Sequence, residues 1–118
     1  MDAGTCFILF VMLFAAFLML MIGILQIKSK KPVGFYAGET GPDETELTNT
    51  QAWNRKHGIL WILYGITIVI TSLIGVSMID SVWCIFPLIG GVVLPVPIMT
   101  WYHHKLIARY RVKKSKAI

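Results

Sequence analysis

An all-α membrane protein of three transmembrane helices is what this sequence predicts, and three observations predict it. Residues 3–27, 58–79 and 81–102 contain no Asp, Glu, Lys or Arg. Each stretch supplies the ~20 apolar residues that a helix rising ~1.5 Å per residue needs to cross ~30 Å of hydrocarbon. The composition agrees: 56% hydrophobic and 14% charged, with a mean hydropathy of +0.69, against roughly 25% charged residues in soluble domains. The ionised side chains gather at the ends of the apolar stretches, where orientation signals and phospholipid contacts belong. That placement, rather than the net charge of +5, argues for a lipid bilayer as partner and against nucleic acid. At 118 residues the chain has room for a single three-helix membrane domain, 1–118, and for no separate globular one.

The first helix is expected over about residues 5–27. Phe7, Phe10, Phe14 and Phe17 recur at spacings of three and four and so line one face, while Ala16 and Gly23, seven apart, mark another. Asp2 precedes the helix and Lys28-Ser29-Lys30-Lys31 follows it. With no basic n-region and a stop-transfer flank, the segment is a span rather than a cleavable signal peptide. In the loop 28–57, Gly34, Gly38, Gly41 and Pro42 break any helix and Asp43, Glu44 and Glu46 form an acidic knot. Thr48-Asn49-Thr50-Gln51 fits a capping box with Thr48 as N-cap. The helix it opens is expected to run through Trp53 and His57 into the second span, 58–79, leaving Trp53, Arg55 and Lys56 in the headgroup layer. Gly58, Gly65 and Ser72 repeat every seven residues with Gly75 close by. Small residues let helix backbones approach where lipid supplies no hydrophobic drive, so this stripe reads as a helix contact face.

Met78-Ile79-Asp80-Ser81 leaves only a tight turn before the third span, 81–102, so spans two and three are antiparallel neighbours. Orientation follows from Lys and Arg. The N-terminal flank has none, and the turn between spans two and three carries only Asp80. Lys28, Lys30, Lys31, Arg55 and Lys56 sit in the first loop, and Lys105, Arg109, Arg111, Lys113, Lys114 and Lys116 in the tail 103–118. The positive-inside rule then places the N-terminus outside, with loop and C-terminus inside. Cys6 and Cys84 fall near the outer end, where an oxidising compartment would let them pair. Thiols in apolar helices are more often small packing residues, and no function is placed on them.

Chemistry has two candidate locations. Proline lacks the N–H and displaces the carbonyl four residues earlier, so Pro95 and Pro97 free the carbonyls of Gly91 and Val93 in mid-membrane and should kink the third helix. Unsatisfied carbonyls in hydrocarbon cost several kcal/mol each, and Thr67 and Thr71 lie at matching depth to meet them, as would water in a cavity. The alternatives are a kink repaired by its neighbour and a broken helix lining a binding site, as in many transporters. No charge lies within a span, which argues against an ion-coupled pump. The second location is the inner interface, where Trp53, Asn54 and His57 should face Trp101, His103 and His104. Histidines at one level are of the type that binds zinc or copper, yet no thiolate accompanies them and interfacial His and Trp are ordinary. The reading is therefore of no metal and no cofactor, with a pH-responsive or partner-binding patch preferred. No Ser–His–Asp set, phosphate loop or HExxH is present, so no enzyme is expected.

Val33-Gly34-Phe35-Tyr36, a polar stretch with Glu44 and Glu46, and then Ala52-Trp53-Asn54-Arg55-Lys56-His57-Gly58 resemble the SdpI-like family of small bacterial membrane proteins. That family has a Val-Gly-Ile-Arg-Thr element, a polar spacer and a Trp-x-x-x-His element opening the next helix. Trp53 and His57 match the second element, and Val33 and Gly34 match the start of the first. Tyr36 stands where the family has Arg, and Ala37 where it has Thr. The resemblance covers roughly a quarter of the chain. It implies a bacterial cytoplasmic (inner) membrane and a role like that of its namesake, which confers immunity to a secreted peptide toxin and takes part in signalling. Lys114 and Lys116 also have the spacing of a dilysine retrieval tail, a reading that the loop resemblance opposes.

The expectation is thus an immunity-like protein that binds a hydrophobic peptide, lipid-like ligand or partner, forming homo-oligomers through its small-residue faces. The binding residues would be Trp53, Asn54, His57, Thr67, Thr71, Gly91, Pro95, Pro97 and Trp101. The rival readings are an oligomeric transporter or channel subunit for a small hydrophobic or cationic solute, and a scaffold subunit of a larger membrane complex.

Overall fold

A computed structural model describes residues 2–34, 42 and 44–111. Among the described residues the chain is all-helical, with three helices long and apolar enough to cross a membrane. The first, α1, is Ala3–Lys28; the second, α2, is Thr50–Ser77; the third is divided into α3, Ile85–Val93, and α4, Pro95–Tyr110. The 28 residues of α2 rise about 42 Å, so its ends extend beyond a hydrocarbon layer of ~30 Å.

Asp2 caps α1, its carboxylate accepting the Thr5 N–H at 2.7 Å. The start of α2 differs from expectation: Asn49, not Thr48, is the N-cap, its side chain accepting the Ala52 N–H at 3.0 Å. The reason is tertiary. The Thr48 N–H donates to the Tyr110 carbonyl at 2.8 Å, and Leu47 forms an isolated antiparallel bridge with Arg111. Thr48 is therefore held against the end of α4, one residue too early to open the helix. The Arg111 guanidinium reinforces the same junction by pairing with Glu46 at 2.9 Å.

α2 lies between α1 on one side and α3 and α4 on the other, and it buries residues toward both. Toward α1, contact is made by backbones. A Cβ at Gly58 would stand 2.5 Å from the Gly23 carbonyl oxygen, and a Cβ at Gly23 2.5 Å from that of Gly58. Seven residues on, a Cβ at Gly65 would meet the Ala16 carbonyl at 2.9 Å. The two seven-residue stripes thus face each other, and the backbones cross where neither chain has side-chain bulk. Toward the third helix, Gly75 accommodates Leu88, and Gly91 accommodates the Thr71 hydroxyl. One cluster of core residues, Ala16, Tyr64, Ile68 and Met99, lies mid-span; a second, Leu47, Trp53, Leu106 and Tyr110, lies at the end carrying the basic residues. Phe7, Phe10, Phe14 and Phe17 are exposed on α1, and Cys6 and Cys84 are free thiols.

Between α2 and the third helix, Met78 to Ser81 form turns closed by Ser81 N–H to Met78 carbonyl at 2.8 Å, followed by a short 3-10 turn, Val82–Cys84. Phe35, Tyr36 and Ala37 of the loop and the tail from 112 onward, including Lys113, Lys114 and Lys116, lie outside the described residues.

Candidate functional site

A groove of about 500 Å³ opens between α2 and the divided third helix. Thr67 and Thr71 line it from α2, Gly91 from α3 and Pro95 from α4, with Leu60, Leu63, Phe86, Leu94 and Ile98 supplying apolar walls. The division falls at Leu94, whose dihedrals remain helical (φ −63°, ψ −36°) and whose N–H donates to the Gly90 carbonyl at 2.9 Å. The interruption lies in the hydrogen bonding: proline at 95 and at 97 supplies no N–H.

How the polar backbone is met there differs from expectation. The Tyr64 hydroxyl donates to the Val92 carbonyl at 2.6 Å. The Thr67 hydroxyl instead donates to Leu63 and the Thr71 hydroxyl to Thr67, both at 2.8 Å and both within α2. A threonine in a helix reaches its own i−4 carbonyl, whereas a tyrosine phenol extends far enough to bridge between helices. Tyr64 shares a helical face with Thr67 and Thr71 at spacings of three and seven, and that spacing is the sequence signal for its place here. Pro97 and Trp101 do not line the groove. Pro97 is two residues beyond Pro95, which turns it about 200° around the helix. Trp101 lies past the groove's end, exposed, with the Lys105 ammonium 4.1 Å from its ring centre.

Trp53, Asn54 and His57 form a second, separate cluster at the basic end, and all three are buried rather than an open rim. Asn54 saturates its amide on the chain that follows α1. Its Oδ1 accepts the Val33 N–H at 3.0 Å, and its Nδ2 donates to the carbonyls of Ser29 at 3.1 Å and Lys31 at 2.9 Å. The Trp53 indole N–H donates to the Val33 carbonyl at 3.0 Å, and Gln26 Nε2 to that of Gly34 at 3.2 Å. Residues 29–34 are thereby fixed on the first turns of α2. Beneath them His57 Nδ1 lies 2.9 Å from the Trp53 carbonyl and His57 Nε2 lies 2.7 Å from His103 Nδ1. The Trp53 ring covers the pair, 4.2 Å from His57 and 5.9 Å from His103. His104, which the sequence set at the same level, is exposed on the outside of α4.

No protein family, curated protein or solved structure matches the chain. The candidate sites are the groove and the buried cluster at the basic end. Neither presents a nucleophile beside a base. Among the described residues no three His, Cys, Asp or Glu side chains converge as metal ligands.

Proposed function

We propose that this protein is a multi-pass component of a bacterial cytoplasmic membrane that acts by binding, taking a hydrophobic peptide segment or lipid-like molecule into the groove between α2 and the third helix. The observation that carries the reading is the groove: an apolar trough of about 500 Å³ at the one place where two prolines interrupt a membrane-length helix. In this reading the third helix is kinked at Pro95 and Pro97, and the carbonyl of Gly91, which has no i+4 N–H to receive, faces a bound donor. Apolar walls give affinity and the few polar groups give orientation. The N-terminus lies outside and the basic end inside. The resemblance of the Val33-Gly34 and Trp53-x-x-x-His57 elements to SdpI-like immunity proteins supports the same picture: the ligand is captured between spans while the inner loop, clamped by Trp53 and Asn54, reports its presence. The small-residue stripes of α1 and α2 are paired within one chain, so homo-oligomers would form instead through the faces left exposed to lipid.

The test fills the groove. Ile98 lines it from α4 and is largely exposed, so Ile98→Trp adds bulk without entering the core. Both proteins are extracted in mild detergent and their bound molecules identified by mass spectrometry. The expected result is a peptide or lipid retained by the parent and lost from the variant. Equal retention by both would remove the groove from the function. Solute flux in liposomes without a retained ligand would replace binding by transport.

A further inference from the structure

We propose that the groove selects membrane-resident alcohols: molecules whose apolar frame fills the trough and whose hydroxyl donates to oxygen acceptors where Gly91 of α3 meets Thr71 of α2. The inference rests on the reading of the groove as a binding site and names the ligand chemistry that this site prefers. Three hydroxyls belong to the groove, and each is already donating. Tyr64 donates to the Val92 carbonyl at 2.6 Å, Thr67 to that of Leu63 and Thr71 to that of Thr67, both at 2.8 Å. A hydroxyl has one hydrogen to give and keeps acceptor capacity once it has given it. The other lining residues are leucine, isoleucine, phenylalanine, methionine, proline and glycine. Among the described residues the groove therefore has side-chain acceptors and no side-chain donor left to offer.

The imbalance is concentrated at one place. A Cβ at Gly91 would overlap the Thr71 hydroxyl, so that oxygen sits directly against the Gly91 backbone. Its hydrogen is committed to Thr67 within α2. The Gly91 carbonyl is due an N–H from residue 95, which is proline and has none. Two oxygens of partial negative charge thus share this part of the groove, and what complements them is a donor. An ammonium would bring a full charge, whose burial costs far more than that of a neutral hydroxyl. A spanning peptide spends its N–H groups inside its own helix, and its serine and threonine hydroxyls turn back to their own carbonyls, as Thr67 and Thr71 do. An alkyl chain or an ester has no hydrogen to donate. A neutral alcohol has the one group that the site lacks, on a body apolar enough for the walls. Leu63, Phe86, Leu94 and Ile98 are exposed along the groove, which leaves it open sideways to a molecule dissolved in lipid.

The test uses the full chain immobilised in detergent micelles, with tritiated dodecanol as probe and empty micelles as blank. Unlabelled dodecanol and its methyl ether, which accepts but cannot donate, compete for the site. The alcohol should displace the label at about five- to tenfold lower mole fraction than the ether, the worth of one hydrogen bond. Pro95→Ala supplies the N–H that the Gly91 carbonyl lacks and should cut this preference severalfold. Thr71→Val removes the neighbouring oxygen and should act in the same direction, which keeps the test open should Pro95→Ala not fold. Ile98→Trp fills the groove and should abolish retention of the label. Equal displacement by alcohol and ether, with retention still lost in Ile98→Trp, would overturn the choice of an alcohol and leave the groove standing. A preference unchanged in both Pro95→Ala and Thr71→Val would overturn it too. No retention by the parent, or retention untouched by Ile98→Trp, would remove the groove reading and this inference with it.

Discussion

Two asparagines five residues apart do work of different size. Asn49 caps α2 with one bond to the Ala52 N–H at an exposed site. Its replacement by alanine should cost about 1 kcal/mol, as for N-caps generally. Asn54 is fully buried and its three bonds all go to backbone groups 21 to 25 residues away. Asn54→Ala strands one donor and two acceptors and should cost about 2–4 kcal/mol. Thermal unfolding of the two variants in one detergent checks the order, and equal losses would mean that the loop clamp contributes nothing beyond a cap. Asp2 shows a pH effect whose sign is fixed by geometry. The Thr5 N–H bonded to its carboxylate holds Asp2 below the usual carboxylate value. A depressed folded value means that the capping contribution is complete above about pH 4 and is lost as pH falls through the lower folded value. The Thr5 amide proton should follow that titration in acid, and Asp2→Asn should abolish it.

At the scale of elements, what glycine permits differs sharply from place to place. Gly58 faces backbone that cannot turn aside, whereas a Cβ at Gly90 would meet only the Leu94 side chain at 3.6 Å, an ordinary contact. Gly58→Ala should therefore push α1 off α2 and cost about 1–3 kcal/mol, the range for overpacking. Gly90→Ala should be neutral or stabilising, because alanine favours a helix over glycine by about 1 kcal/mol. Detergent unfolding of the pair is the check, and equal midpoints would mean that α1 and α2 do not cross at Gly23 and Gly58 in solution. The seven-residue spacing of these residues was legible in the sequence because helix geometry maps it onto one face. The cap at Asn49 was not, since Thr48, Asn49 and Thr50 are all of N-cap type and the remote carbonyl of Tyr110 engages Thr48. The candidate site divides along the same line. Depth matching of antiparallel neighbours brings Thr67 and Thr71 near Gly91 and Pro95, and His57 near His103. Which hydroxyl reaches which carbonyl depends on side-chain length and on competing bonds within α2, which spacing does not encode.

For the whole molecule the decisive quantity is the placement of charge at its two ends. Asn54 ties Ser29 and Lys31 to the first turns of α2, while Thr48 and Glu46 tie the same region to Tyr110 and Arg111. These bonds bring Lys28, Lys30, Lys31, Arg55, Lys56, Lys105, Arg109 and Arg111 to one end. Asp2 and Asp80 lie on the flanks that carry no Lys or Arg. Translocating the basic end would carry a cluster of Lys and Arg outward, against the bias that sets orientation when such residues lie within short loops beside the spans. Interfacial anchoring points the same way, since a cluster of cations at headgroup level is attracted by the anionic inner leaflet at about 1 kcal/mol for each residue near the surface. The basic end should therefore face the cytoplasm. Impermeant maleimide labelling in intact cells tests this once Cys6 and Cys84 are replaced by alanine, both being free thiols that would otherwise react. Asp80→Cys should label from outside, and Lys30→Cys only after the membrane is permeabilised. The reverse pattern would invert the protein and place the His57–His103 pair on the outer surface. Labelling of both positions in intact cells would mean dual insertion, an outcome that so one-sided a charge distribution strongly opposes.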